Sequence, residues 1–270
     1  MTAASAISGT SHSDAFTPSE LDQFAQHGFL ILRDFADPSV VTRMQQVTKE
    51  HLEREHPPLE YEADLHYPGA PATFDAPGGR TIRRLKQAHA RDIVFTDWVS
   101  STQLVRRLQQ ILGDQVVMPC AHHNCIMTKT PEHSSDTGWH QDIRYWSFER
   151  PELVSVWLAL GREHSENGGL WVIPGSHNMS LDRSRFDDDV FLREDAAANR
   201  QLIDSAVPVE LNAGDVLLFH ARLLHSASRN HTSEMKCSAV FTFRPLDNPP
   251  LPQSRSTASP ELLLPRTILS

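Results

Sequence analysis

From Asp114 onward the chain breaks into short apolar runs divided by turn residues, and that rhythm limits what it can fold into. Strands are predicted over residues 116–129, 138–144, 154–160, 169–173, 207–211, 215–224 and 237–243. Such a series closes into a sandwich or barrel whose sheet needs cover on one face. The N-terminal half supplies helices for that cover. "TPSE" at 17–20 is a capping box, with Thr17 as the cap, Pro18 in the first turn and Glu20 reaching back. Leu21, Phe24 and Ala25 make the apolar stripe, and Gly28 ends the helix. "FLILRDF" at 29–35 reads as a strand. A second helix opens at Asp37-Pro38 with Val40, Met44, Val47 and His51 on one face, and residues 92–112 are again helical. The expected fold class is therefore mainly β with flanking helices, the helical N-terminal half packed on one sheet.

Residues 1–16 read as a disordered polar tail, and 17–270 as one domain, because the strands cannot build a core without the helices. Two stretches interrupt the regular pattern: a Pro- and Gly-rich loop at 56–80 and a polar insertion at 178–204. Long loops inside compact domains carry function, so both are expected near an active site.

With no apolar run of 18 residues, no membrane span is expected, and the N-terminus lacks the basic-then-apolar pattern of a signal peptide. A net charge of −9 disfavours nucleic acid or an anionic membrane as partner. Cys120, Cys125 and Cys237 are too few and too scattered for a disulfide framework and read as reduced thiols, which makes the expected location cytoplasmic. Among 15 histidines, position must decide which matter.

"TGWHQDIRYWSF" at 137–148 places His140 and Asp142 two residues apart, on the same side of a strand. Two such ligands leave a metal under-coordinated. A third is available in "GDVLLFHARLLHSASRN" at 214–230, as His225 or His220. On one strand these two point to opposite faces, and His225 sits at the strand end, where barrel sites open. Two histidines and one carboxylate on one side of a metal form the facial triad of non-heme Fe(II) oxygenases. His122 and His123 read as packing or surface residues.

Together, HQD at 140–142, "ENGGLWVIPGSH" at 166–177 and "GDVLLFHARLLHSASRN" at 214–230 resemble the phytanoyl-CoA dioxygenase family, with weaker likeness in "HGFLILRDF" and "RDIVFTDWV" upstream. The resemblance implies a double-stranded β-helix, the jelly-roll or cupin-like core, binding Fe(II) and 2-oxoglutarate and consuming O2. It puts the metal ligands on His140, Asp142 and His225, and Trp157 near the co-substrate. A family arginine that grips the distal carboxylate of 2-oxoglutarate falls on Lys236, eleven residues after His225. Lysine keeps the charge but offers a point donor instead of a fork, so Ser238 or Ser233 is expected to help. Lys236, Ser238, Val240, Thr242 and Arg244 share one strand face, taken as the barrel lining, and Arg244 is too far along it to replace Lys236. A further family lysine aligns with Arg83 in "TIRRLK", where Arg84 and Lys86 are the alternatives and a solvated basic helix face is the structural one. Asn230 falls on a family asparagine and is expected to shape its turn.

The implied activity is hydroxylation of a small organic metabolite, releasing succinate and CO2; the Asp142 carboxylate favours this over halogenation. Arg144, Tyr145 and Trp146 are expected to face the substrate, with Arg144 meeting an anionic group if the strand continues. The family resemblance does not make phytanoyl-CoA the substrate. Two other classes remain open at this point: a cupin-type isomerase on Zn or Mn, in which Lys236 would have no co-substrate to hold, and a non-catalytic metabolite-binding protein.

Overall fold

Thr17 caps the first helix as predicted: its hydroxyl accepts from the Glu20 N–H, the Glu20 carboxylate reaches back to the Thr17 N–H, and Gly28 closes the helix in the left-handed conformation that a side chain resists. The computed structural model describes residues 8–9, 14–65 and 67–267. The helices are α1 (Pro18–His27), α2 (Pro38–Glu53), α3 (Ile93–Val99), α4 (Thr102–Leu112) and α5 (Ala197–Ile203). Order begins before the expected boundary of the tail. Phe16 is buried and bonded through its backbone to Gln110, and β1 (Ser8–Gly9) runs parallel to β2 (Phe29–Leu32). Residues 1–7 and 10–13 of the predicted tail lie outside the described residues.

The remaining strands are β3 (Leu59–Tyr61), β4 (Ile82–Lys86), β5 (Val116–Pro119), β6 (Asn124–Lys129), β7 (Thr137–His140), β8 (Val154–Ala159) and β9 (Leu170–Val172). They continue with β10 (Val207–Pro208), β11 (Val216–His220), β12 (His225–Ala227), β13 (Lys236–Pro245) and β14 (Glu261–Leu263). The large sheet runs β1-β2-β11-β8-β13-β6-β4-β3, with β5 paired to β13 and β14 paired to β5; the small one runs β10-β9-β12-β7. The two sheets form the jelly roll.

Period-two alternation sorts the side chains of the large sheet. Val154, Val156 and Leu158 of β8 and Ala239, Phe241 and Phe243 of β13 join the core beneath the helices, with Met44, Phe95, Leu104 and Leu108. Trp157, Ala159 and Val240 point the other way, between the sheets, against Leu170, Val172, Leu217 and Phe219. The face assigned to Lys236, Ser238 and Val240 is thus the inner one.

Several boundaries differ from the sequence reading. Residues 116–129 are two strands broken by a turn, and 92–112 are two helices meeting at Ser100–Ser101. The loop at 56–80 contains β3 and a short helical turn, Glu62–Asp64. "TIRRLK" is strand β4, not a helix face, because β3 and β6 pair with it on both sides. No helix among the described residues is long and apolar enough to cross a membrane.

Candidate metal centre and adjoining cavity

His140 closes β7 and His225 opens β12, and the antiparallel register sets the two directly opposite each other, with ring centroids 4.1 Å apart. Each ring is oriented by its own backbone. The Nδ1 of His140 donates to Gly138 O (2.8 Å) and that of His225 to Leu223 O (3.0 Å). A carbonyl only accepts, so Nδ1 carries the proton in both rings and the Nε2 lone pairs are free to ligate. Asp142 completes the group: its Oδ1 lies 3.8 Å from His140 Nε2 and 3.6 Å from His225 Nε2. One ligand atom from each of the three buried residues falls within 4.8 Å of the others.

The route to this geometry differs from the expected one. The strand predicted over 138–144 ends at His140, and Asp142 begins a 3-10 turn, Asp142–Tyr145. That turn, not the pleat, brings the carboxylate to the histidines. Two bonds hold it there: Ser155 Oγ on β8 donates to Oδ2 (3.0 Å), and His123 Nε2 donates to Oδ1 (3.1 Å). His123, expected to be a packing or surface residue, touches the centre. The strand predicted over 215–224 also stops early, at His220, and His225 belongs to the next strand. Pairing of β12 with β7 selects His225, which lies on a different strand from His220, so alternation along one strand does not set their relative directions. His220 faces His177 (5.3 Å between rings) and accepts from the Arg222 N–H.

Burial pushes the pKa of both His140 and His225 below the ordinary imidazole range, which keeps them neutral as metal binding requires. For Asp142, burial works against ionisation, but the neighbouring His123 and His225 outweigh it and hold the carboxyl well below its usual range. Away from the centre, burial also lowers His220 to about 4 and His122 to about 3. Unfolded, both titrate near 6.5, so between that pH and their folded values the unfolded chain binds more protons. Folding stability therefore falls as the pH drops below 6.5. Melting temperatures measured from pH 7.5 to 5 should decline, and less steeply in His220→Gln; an equal slope would mean that His220 is not among the groups responsible.

The triad opens into a cavity that Arg83, Arg84, Lys129, Trp157, Phe219 and Lys236 also line. Lys236 Nζ sits 4.8 Å above the Trp157 ring, 3.1 Å from Glu163 Oε2 and 3.2 Å from Ser238 Oγ. Ser238 Oγ donates to Glu163 Oε1 (2.7 Å), and the Trp157 indole N–H donates to the same carboxylate (3.1 Å). Ser233 is exposed on the surface. Arg83 donates to Ser135 Oγ (2.7 Å) and Thr137 Oγ1 (3.0 Å) and pairs with buried Glu62 at 3.3 Å. Arg84 pairs with Glu60 at 2.6 Å, Lys86 is exposed, and Arg244 pairs with Glu261 at the far end of β13. Asn230 shapes its turn as expected, donating to Lys129 O and Glu234 O and accepting from the Thr232 N–H.

Arg144 leaves the expected strand face with the turn. Its guanidinium is clamped between Phe191 (3.8 Å) and Tyr145 (4.2 Å) and donates to Val190 O. Phe191 lies edge-on to His140 (5.9 Å) and to Tyr67 (5.4 Å), so the 56–80 loop and the 178–204 insertion meet beside the triad. Tyr145 and Trp146 line a second cavity, with Arg84 and His123 shared between the two.

A profile of the phytanoyl-CoA dioxygenase (PhyH) family matches residues 24–238. The ectoine dioxygenase of Halomonas elongata is 26% identical over 259 residues, covering 90% of this chain and 74% of the relative. The L-proline trans-4-hydroxylase of Streptomyces griseoviridis is 26% identical over 199 residues, covering 64% and 71%. The crystal structure of EctD from S. alaskensis with 2-oxoglutarate and 5-hydroxyectoine superposes with a TM-score of 0.73 at 19% identity, covering 92% of this chain and 84% of that one. The matched span contains the three triad residues, the strand of Arg83 and, at its end, Lys236 and Ser238: the chain belongs to the phytanoyl-CoA dioxygenase family.

Proposed function

We propose that the protein is an Fe(II)- and 2-oxoglutarate-dependent dioxygenase that hydroxylates a small organic metabolite, with succinate and CO2 as co-products. The observation that carries this reading is the triad itself: two imidazoles with free Nε2 lone pairs and one buried carboxylate converge on a point that opens into a cationic cavity. This donor set suits Fe(II), and closed tetrahedral zinc sites have a fourth protein ligand that is lacking among the described residues here. Iron bound there would activate O2, two of whose four oxidising equivalents are met by decarboxylation of the keto acid and two by the substrate C–H bond.

The chain's own residues divide the remaining work. His140, Asp142 and His225 hold the metal, and Ser155 and His123 fix the carboxylate. Trp157, Arg83, Lys236 and Ser238 surround the co-substrate compartment, and the rings around it restrict water. Arg144, Tyr145 and Trp146 serve the substrate. The Nε and one terminal nitrogen of Arg144 are buried with no well-formed hydrogen bond, the Tyr67 hydroxyl being the nearby side-chain acceptor for this guanidinium. Such poorly satisfied donors cost stability until an oxyanion meets them, which supports a substrate bearing a carboxylate or phosphate. The relatives named for ectoine and L-proline also act on small organic molecules.

An anaerobic titration tests the reading: Fe(II) first, then 2-oxoglutarate, watching for the weak visible charge-transfer band of the chelate. A saturating band, followed by O2-dependent succinate release with a matching small acid, is the expected result. Iron that binds without any keto-acid band would sink the proposal.

A further inference from the structure

Lys236 occupies the place expected to grip the distal carboxylate of the co-substrate, yet a carboxylate already sits on it. Glu163 is 1% exposed and accepts from Lys236 Nζ, Ser238 Oγ and Trp157 Nε1, three groups that line or border the co-substrate compartment. The Lys236 charge is therefore balanced from within. Arg83 is likewise balanced by Glu62. Lys129 is different. It stands directly opposite Lys236 in the antiparallel pairing of β6 with β13, it is buried, and it lines the same cavity. Its hydrogen-bond partner there is a neutral group, the Ser135 carbonyl, and no carboxylate of the described residues lies within ion-pair distance.

Resting on the dioxygenase reading above, we propose that Lys129 supplies the charge that selects the distal carboxylate of the co-substrate, and that Glu163 is a positioning residue locking Lys236 and Ser238 beside it. The charges on the cavity floor then sum to one cation free for one carboxylate. A buried ammonium facing only a carbonyl is costly alone, and an incoming carboxylate removes that cost. Burial first, and then the charges of Arg83 and Lys236, push the Lys129 pKa down, the direction an arriving anion reverses. The surroundings are built around this side chain. Asn230 pins the Lys129 carbonyl (2.8 Å). Gly168 lies so close that an added Cβ would stand 3.1 Å from Lys129 Cγ and 2.8 Å from Ser228 O, with φ at +82° besides.

The test compares two keto acids on the Fe(II)-loaded protein without oxygen: 2-oxoglutarate and 2-oxobutyrate, which lacks the distal carboxylate. The unmodified protein should prefer 2-oxoglutarate strongly. Lys129→Met should cut that preference by about 30-fold or more, the scale of breaking a buried charge pair, while Fe(II) and 2-oxobutyrate binding stay within about twofold on the same scale. Lys129→Arg should restore most of the preference. If Lys129→Met does not fold, Lys129→Gln, which still donates to Ser135, carries the same comparison. Glu163→Gln, which frees the Lys236 charge, should tighten 2-oxoglutarate and leave 2-oxobutyrate unchanged; a parallel change for both acids would overturn the role given to Glu163. A preference unchanged in Lys129→Met overturns the proposal. So does an unmodified protein that binds both acids equally, since Glu163 would then fill the seat. Failure of the unmodified protein to chelate either acid would overturn the dioxygenase reading along with it, and is recognisable as such.

Discussion

His225→Ala is expected to lose Fe(II) binding by well over the 10- to 100-fold that removal of an outer-shell partner costs, with succinate formation falling below detection. The geometry gives the reason. His225 is set opposite His140 by strand pairing, its Nδ1 is committed to Leu223 O, and its Nε2 faces Asp142. Alanine there leaves two ligands, and no other side chain of the described residues offers a donor atom in the group. His220→Ala is the matched control, since that ring packs on His177 outside the cavity lining. Iron content after anaerobic loading separates the two variants. Iron retained in His225→Ala and lost in His220→Ala would overturn the assignment.

The second large effect is on stability. Phe241 is fully buried on the helix-facing side of β13 and meets Trp98 of α3, with centroids 6.0 Å apart. Phe241→Ala should cost about 3–5 kcal/mol, transfer and cavity together, and lower the melting temperature by roughly 10 °C for a chain of this size. Its neighbour Val240 faces the other way, into the layer between the sheets, so the folded fraction should keep its iron affinity. Thermal melts and iron titration on the same preparation check both halves. A loss below about 1 kcal/mol would mean that the helices do not rest on β13 as described.

What the sequence revealed and what it hid follow one physical division. Local pattern exposed α1 with its capping box and the inner face of β13, because each is decided within a few residues. Pairing partners are not local. Whether the strand after Gly138 continues to Arg144 or turns at Asp142 depends on Ser155 and His123, which hold the carboxylate from other elements. Lys129 is only the last residue of the strand predicted over 116–129, and its position opposite Lys236 exists only once β6 and β13 pair. Glu163 lies in "GREHSENGG", and nothing nearby in sequence shows that Trp157, Ser238 and Lys236 enclose it. The family pattern supplied the role expected of Lys236 but not the counter-charge that this chain places upon it.

The triad draws its members from both layers of the fold. His140 and His225 belong to the small sheet, while Asp142 is tied through Ser155 to β8 of the large one. A cation seated between them is therefore a rivet across the sandwich as well as a reagent. Backbone bonds such as Ile143 N–H to Ala221 O also join the layers at that end, and loading the cation draws the stability of the whole roll upward by mass action. Iron supply and folding stability are thereby linked: the melting temperature is expected to rise with Fe(II) concentration.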